Sequence, residues 1–292
     1  MTDAGRRRVA LGVAYDGTGF HGFARQPAQR TVAGELAAAL GRVSGGEVDL
    51  VCAGRTDAGV HALAQVVHAD LPAQVLEGRY GPLPGGGPEG EVASPGPGGR
   101  GPRHLPELAA LAAAVDRQVG PEVRVWRAVL ASDGFDARRS ATSRRYRYDL
   151  DVAERPEPAR RHLAWRVEHP VDLGLLRLAT DPVLGEHDFA GFCRRPPDRP
   201  EGPLVREVLE ARWSVQPGGL LRLEIEARAF CHQMVRSLVG ALVAVGTGRL
   251  RPSDMVAVLR HGRRQGLPSP APPGGLTLVA VRYPAALGGD WC

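Results

Sequence analysis

Three short segments of this chain carry residues whose types and spacing could do chemistry. The first, CAGRTDAGVHALAQVVH (Cys52 to His68), sets Arg55 two residues ahead of Asp57 in a Gly-flanked turn. A guanidinium beside a carboxylate favours the ionised form. An ionised carboxylate suits a nucleophile and not a general acid. Asp-Ala-Gly is also an ordinary turn sequence. The second, FDARRSATSRRYRYDL (Phe135 to Leu150), interleaves arginines with Tyr146 and Tyr148. Aromatics among arginines suit stacking on unpaired bases and binding of phosphates. A half-buried strand, tyrosines inward and arginines in water, has the same pattern. The third, AFCHQMVRSLVGALVAVGTGRL (Ala229 to Leu250), puts Arg236 near the start of a very apolar run. Pointing inward, Arg236 needs a carboxylate or phosphate partner; pointing outward, it is a surface charge.

The elements that must position these residues alternate between strands and helices. Val9, Leu11, Val13 and Tyr15 alternate with Arg8, Ala10, Gly12 and Ala14, the period of a strand. Thr31 is placed to cap a helix striped by Val32, Leu36, Leu40 and Val43. Val48–Ala53 and Leu63–Ala69 read as strands joined by the Asp57 loop. Leu105, Leu108, Leu111 and Val115 line a second helix with Pro106 in its first turn, and Val123–Val129 is a short strand. Tyr146, Tyr148, Leu150 and Val152 form a strand, and Leu173–Leu184 reads as helical. Leu209–Val215 and Leu221–Ala227 make a hairpin around Pro217-Gly218-Gly219. Met234–Val245 is a long helix ending near Gly246 and Gly248, Ser253 caps a short one, and Leu276–Tyr283 is a last strand. Residues 78–103 interrupt this order: 16 of the 26 are Gly or Pro, too many for a packed helix or central strand. They read as a disordered insertion.

Composition narrows the partner. The chain has 292 residues, of which 43% are hydrophobic, enough to bury a core. No apolar run approaches the roughly 20 residues of a membrane span. The N-terminus lacks a signal-peptide pattern, which points to a soluble, cytoplasmic protein with no membrane partner. The four cysteines (Cys52, Cys193, Cys231, Cys292) show no C-x-x-C spacing, so they are expected to be reduced and to act as small apolar residues. Net charge is +5, and Lys is absent, so every basic residue apart from histidine is Arg. The arginines fall in groups, among them Arg6–Arg8, Arg138–Arg139, Arg144–Arg145 and Arg263–Arg264. Such clusters suit a polyanion such as nucleic acid, and equally a solvated surface.

Taken together, the motifs resemble the tRNA pseudouridine synthase A family. YDGTGFHGFARQ (Tyr15 to Gln26) is similar to its YDG motif followed by G-aromatic-x-RQ, with Phe23 where the family more often has Trp. AGRTDAGVHALAQVVH is similar to its catalytic signature. FDARRSATSRRYRY, HDFAGF, AFCHQMVRSLVGALVAVGTGRL and GLTLVAVRYP follow in the family's order, so the likeness runs from Val9 to Pro284. The junction VDRQVGPEV (Val115 to Val123) and the insertion at 78–103 depart from the pattern.

The resemblance implies an isomerase that converts uridine to pseudouridine at positions 38, 39 and 40 of the tRNA anticodon arm, without metal or organic cofactor. It puts the catalytic aspartate at Asp57, its neighbouring arginine at Arg55, the tyrosine that meets the base at Tyr146, and the arginine that pairs with the carboxylate at Arg236. It implies a homodimer of α/β (α+β) chains. Each chain has two similar α/β halves, 1–131 and 132–292, whose antiparallel sheets join into one extended sheet with the cleft between them. An ionised Asp57 serves either route at the ribose, capture of C1′ or assisted elimination across the sugar. The base must leave its stack first. Arg55 is placed to hold the vacated position, and Tyr146 to stack on the uracil while its hydroxyl serves proton transfer. A non-catalytic RNA-binding protein fits the intact Arg55–Asp57 pair poorly. A glycosidase normally needs two cooperating carboxylates, and the Asp57 loop offers one.

Overall fold

Arg6–Tyr15 form β1, whose central residues Val9 to Val13 are buried on both faces of the sheet. Small residues make that possible: a Cβ on Gly12 would lie 2.6 Å from the Trp126 ring, so only glycine lets the indole cover this face. The computed structural model describes residues 5–80, 108–195, 201–264, 266–287 and 289–292. After β1 come α1 (Val32–Ser44), β2 (Val51–Cys52), β3 (His61–Pro72), α2 (Ala73–Tyr80), α3 (Ala109–Asp116) and β4 (Val123–Leu130). The second part contains β5 (Ser143–Asp151), β6 (Trp165–Arg166), α4 (Leu173–Thr180), β7 (Gly185–Asp188), β8 (Val205–Gln216) and β9 (Leu220–Ala227). It ends with α5 (Met234–Gly246), α6 (Pro252–His261), β10 (Leu276–Arg282) and β11 (Asp290–Trp291).

Among the described residues the strands form one mixed sheet in the order β4-β1-β3-β10-β5-β9-β8-β7, with β2 and β11 paired to β3 and β10 and β6 to β5. The protein is therefore of the mixed α/β class with one extended sheet. Pairing is antiparallel along this path except between β10 and β3. Those two strands pair in parallel only at Thr277↔His61 and Leu278↔Ala62. Both strands start at the same end, so the loops that feed them, 53–60 and 268–275, lie side by side. That junction positions the site. α1 packs on α3 and α3 on β4, while α4 packs on α5, α6 and β8.

Local chemistry accounts for most element ends. The Thr31 side chain accepts from the Gly34 N–H, and Gly45 closes α1 in the left-handed conformation. Gly218 and Gly219 take positive φ in the β8–β9 turn. Several expectations change. Leu108 precedes the first turn of α3, while Leu105 and Pro106 lie outside the described residues, as do 81–103 of the Gly/Pro-rich segment. Gly78 belongs to α2, a helix whose weak apolar stripe left no periodic signal. Leu173–Leu184 is a helix only to Thr180; Pro182 follows in a tight turn. Ser253 lies inside α6, and the N–H at its start, that of Arg251, is received by Asp254. No helix among the described residues is long and apolar enough to cross a membrane.

Candidate active site

The Asp57 loop is held mainly through its backbone. Ala53 N–H donates to Val66 O, and the Gln65 side-chain amide grips Gly54, its Nε2 donating to Gly54 O at 2.7 Å. Gln65 Nε2 also donates to Tyr15 Oη, which pairs with Thr56 Oγ1 at 2.8 Å. The Phe23 N–H donates to Thr56 O, and Phe23 packs its ring against Tyr15. The Tyr15–Gln26 segment thus wraps the loop, and its glycines are contact points. A Cβ on Gly17 would fall 2.1 Å from Val60 O. Gly22, at φ +91°, would bring one within 2.9 Å of Thr56 O. Neither position has room for a side chain.

From the other side, Arg144 reaches under the loop. Its Nε and Nη2 donate to Ala53 O at 3.2 and 2.9 Å, and its remaining N–H groups reach Arg138 O, Ala141 O and Arg228 O. Arg144 is buried, and burial pulls its pKa down. Arg145 bonds Glu226 and Glu210, and Arg147 lies 3.8 Å from Asp149. Arg144 and Arg145 are thus held within the protein. Both tyrosines of that strand are buried, while Arg138 and Arg139 ahead of it are exposed.

Asp57 itself is about one-fifth exposed. Arg236, in the first turn of α5, donates from Nη1 to Asp57 Oδ2 at 2.8 Å and from Nε to Ala271 O at 2.8 Å. The second bond ties Asp57 to the 268–275 loop as well as to α5, and Tyr148 Oη donates to Pro272 O in that same loop. The inward alternative for Arg236 is the one the fold adopts. Tyr146 lies with its hydroxyl 3.8 Å from where a Gly54 Cβ would be, its ring edge-on to Phe230 at 5.2 Å. Burial pushes the Tyr146 phenol above its ordinary range, with Arg144 opposing and Asp57 adding to the shift. Arg55 does not contact Asp57. Its side chain is exposed and makes no hydrogen bond or ion pair among the described residues.

One neighbour of Asp57 has no counterpart in the sequence reading. His232 Nε2 lies 3.2 Å from Asp57 Oδ1. Its signal was its place four residues before Arg236 in the same motif. Two of the cysteines meet in the fold: Cys193 and Cys231 stand side by side, their Cα atoms 5.8 Å apart, while Cys52 is buried elsewhere and Cys292 is exposed. Thirty-eight residues separate the pair in sequence, and only the packing of the 190–193 turn against the approach to α5 brings them together. Among the described residues no three His, Cys, Asp or Glu side chains converge as metal ligands would.

A partly open carboxylate held by a cation could capture an electrophilic carbon of a bound ligand. Comparison with known proteins agrees with a specific setting for it. The profile of the tRNA pseudouridine synthase family matches residues 12–79 and 179–284. A protein of Frankia casuarinae named tRNA pseudouridine synthase A is 44% identical over 288 residues, covering 97% of this chain and 92% of that one. Those of Leifsonia xyli and Mycobacterium leprae are each 41% identical, covering 97% and 95% of this chain and 94% and 90% of theirs. Identity at that level along nearly the whole of both chains, with Asp57 and Arg236 inside the matched segments, makes this chain a member of the tRNA pseudouridine synthase A family.

Proposed function

We propose that the protein isomerises uridine to pseudouridine in tRNA, at positions 38, 39 and 40 of the anticodon arm, with Asp57 as the nucleophile. The observation that carries this reading is the Asp57 carboxylate, partly open to solvent and paired with Arg236 at 2.8 Å. Arg236 supplies a counter-charge without covering the carboxylate. Asp57 attacks C1′, and the C1′–N1 electron pair leaves with the uracil. The uracil turns, its C5 attacks C1′, and the carboxylate departs. Loss of the C5 proton and protonation of N1 complete the isomerisation. The target base leaves the stack to reach this site, and the exposed Arg55 fills its place. Tyr146 stacks on the detached uracil and keeps it from diffusing. With its phenol pushed up by burial, it presents a ring and a protonated hydroxyl at neutral pH.

In this reading residues 1–131 bring the Asp57 loop, and 132–292 bring Tyr146 and Arg236. The protein works in the cytoplasm as a homodimer, with one tRNA touching both subunits. Transcripts labelled with tritium at uracil C5 test the chemistry: release of tritium without free uracil is isomerisation, and free uracil marks a glycosidase. Transcripts retaining uridine only at 38, 39 or 40 test the positions. Sedimentation with and without tRNA tests the dimer.

A further inference from the structure

Arg236 does not grip Asp57 with its whole fork. Nη1 reaches Oδ2, but Nε is committed to Ala271 O. A carboxylate held at one oxygen keeps freedom to turn about its Cβ–Cγ bond. Bidentate contact would remove that freedom. Here the second oxygen, Oδ1, has His232 Nε2 at 3.2 Å instead. Both the neutral Nε2–H tautomer and the imidazolium donate from that nitrogen.

The main chain at His232 is unusually constrained. Arg194 N–H donates to His232 O at 2.9 Å, and Cys231 packs against Cys193, their Cα atoms 5.8 Å apart. Gln233 sits at φ +63°, one of two residues other than glycine with positive φ among the described residues. A left-handed conformation is unfavourable for such a residue and persists where surrounding structure imposes it. The Met234 N–H then closes back on Cys231 O. The chain thus turns sharply between His232 and Arg236, so that one motif brings a nitrogen to each oxygen of one carboxylate: Arg236 Nη1 donates to Oδ2, and His232 Nε2 stands 3.2 Å from Oδ1.

We propose that His232 is a positioning residue: its Nε2–H fixes Oδ1 and so sets the plane in which Asp57 presents its attacking lone pair. This rests on the reading of Asp57 as nucleophile given above. His232 is about half exposed, so it forms part of the wall of the site and not of the core.

The test compares His232→Ala, His232→Gln and the unaltered protein in single-turnover pseudouridine formation, with tRNA affinity and melting temperature measured for each. Gln keeps an N–H donor at about the reach of Nε2; Ala keeps none. A misplacement on the order of 1 Å can cost about a hundredfold in rate. The Ala variant is therefore expected to slow the chemical step by about ten- to a hundredfold, with tRNA affinity unchanged within about threefold. The Gln variant is expected to recover to within about fivefold of the unaltered rate. An Ala variant as fast as the parent overturns the proposal. So does a Gln variant that folds and is as slow as Ala, or a defect confined to tRNA affinity. Should the Ala variant not fold, the Gln rate decides alone, and a slowing beyond fivefold overturns it. Inactivity of the unaltered protein would instead refute the proposed isomerase reading.

Discussion

The two walls of the site are built in opposite ways. On the N-terminal wall, loop 53–60 is fixed by contacts to its backbone from Val66, Phe23, Gln65 and Arg144, and by glycines that let neighbouring chain approach. On the C-terminal wall, Arg236 and His232 meet Asp57 through side chains alone. The first wall holds the backbone at Asp57, and the second supplies the side chains nearest its carboxylate oxygens. Damage to the first should cost stability and activity together. Damage to the second should cost activity while the fold survives.

The largest expected effect tests the reacting group. Asp57→Asn should fold and bind tRNA yet form no pseudouridine, because the amide keeps the shape and is not a nucleophile. Turnover like that of the parent would end the assignment. Next, Arg236→Leu should slow turnover by about a hundredfold or more, roughly 2.7 kcal/mol, by removing the counter-charge of a half-buried carboxylate. Its melting temperature should stay close to that of the parent. A rate within about tenfold would mean that the ion pair is only structural.

Gly17→Ala probes the other wall. The added methyl must displace Val60 O, a backbone atom, and overpacking of this kind costs about 1–3 kcal/mol. The expected result is a lower melting temperature with a parallel fall in turnover. An unchanged melting curve would break the contrast between the walls. Tyr146 should give the smallest effect. Tyr146→Phe keeps the ring, so its rate should stay within about tenfold of the parent's. Tyr146→Leu should lose a further contribution of about 1–3 kcal/mol from stacking, read as weaker retention of the uracil. A Phe variant slowed a hundredfold or more would restore a proton-transfer role to the hydroxyl.

What the sequence determined by itself is local. The Thr31 cap and the apolar stripe of α1 were legible because they depend on neighbours two to four residues apart. So were the Gly-Gly turn between β8 and β9 and the run of α5. The Asp57 motif was legible for the same reason, as a turn between two strands. The tertiary structure decided what those residues touch. The Arg236–Asp57 bond joins residues 179 apart. It exists because β10 inserts between β3 and β5 and sets loop 268–275 and the start of α5 against the Asp57 loop. Periodicity placed the arginines of RRYRY on a strand but could not show that Arg144 turns under loop 53–60 to meet carbonyls. Nor could spacing show that Cys193 finds Cys231, or that His232 stands over Asp57. Hydrogen bonds and ion pairs form at about 3 Å, and separation along the chain carries no record of that distance until the order of the strands is set.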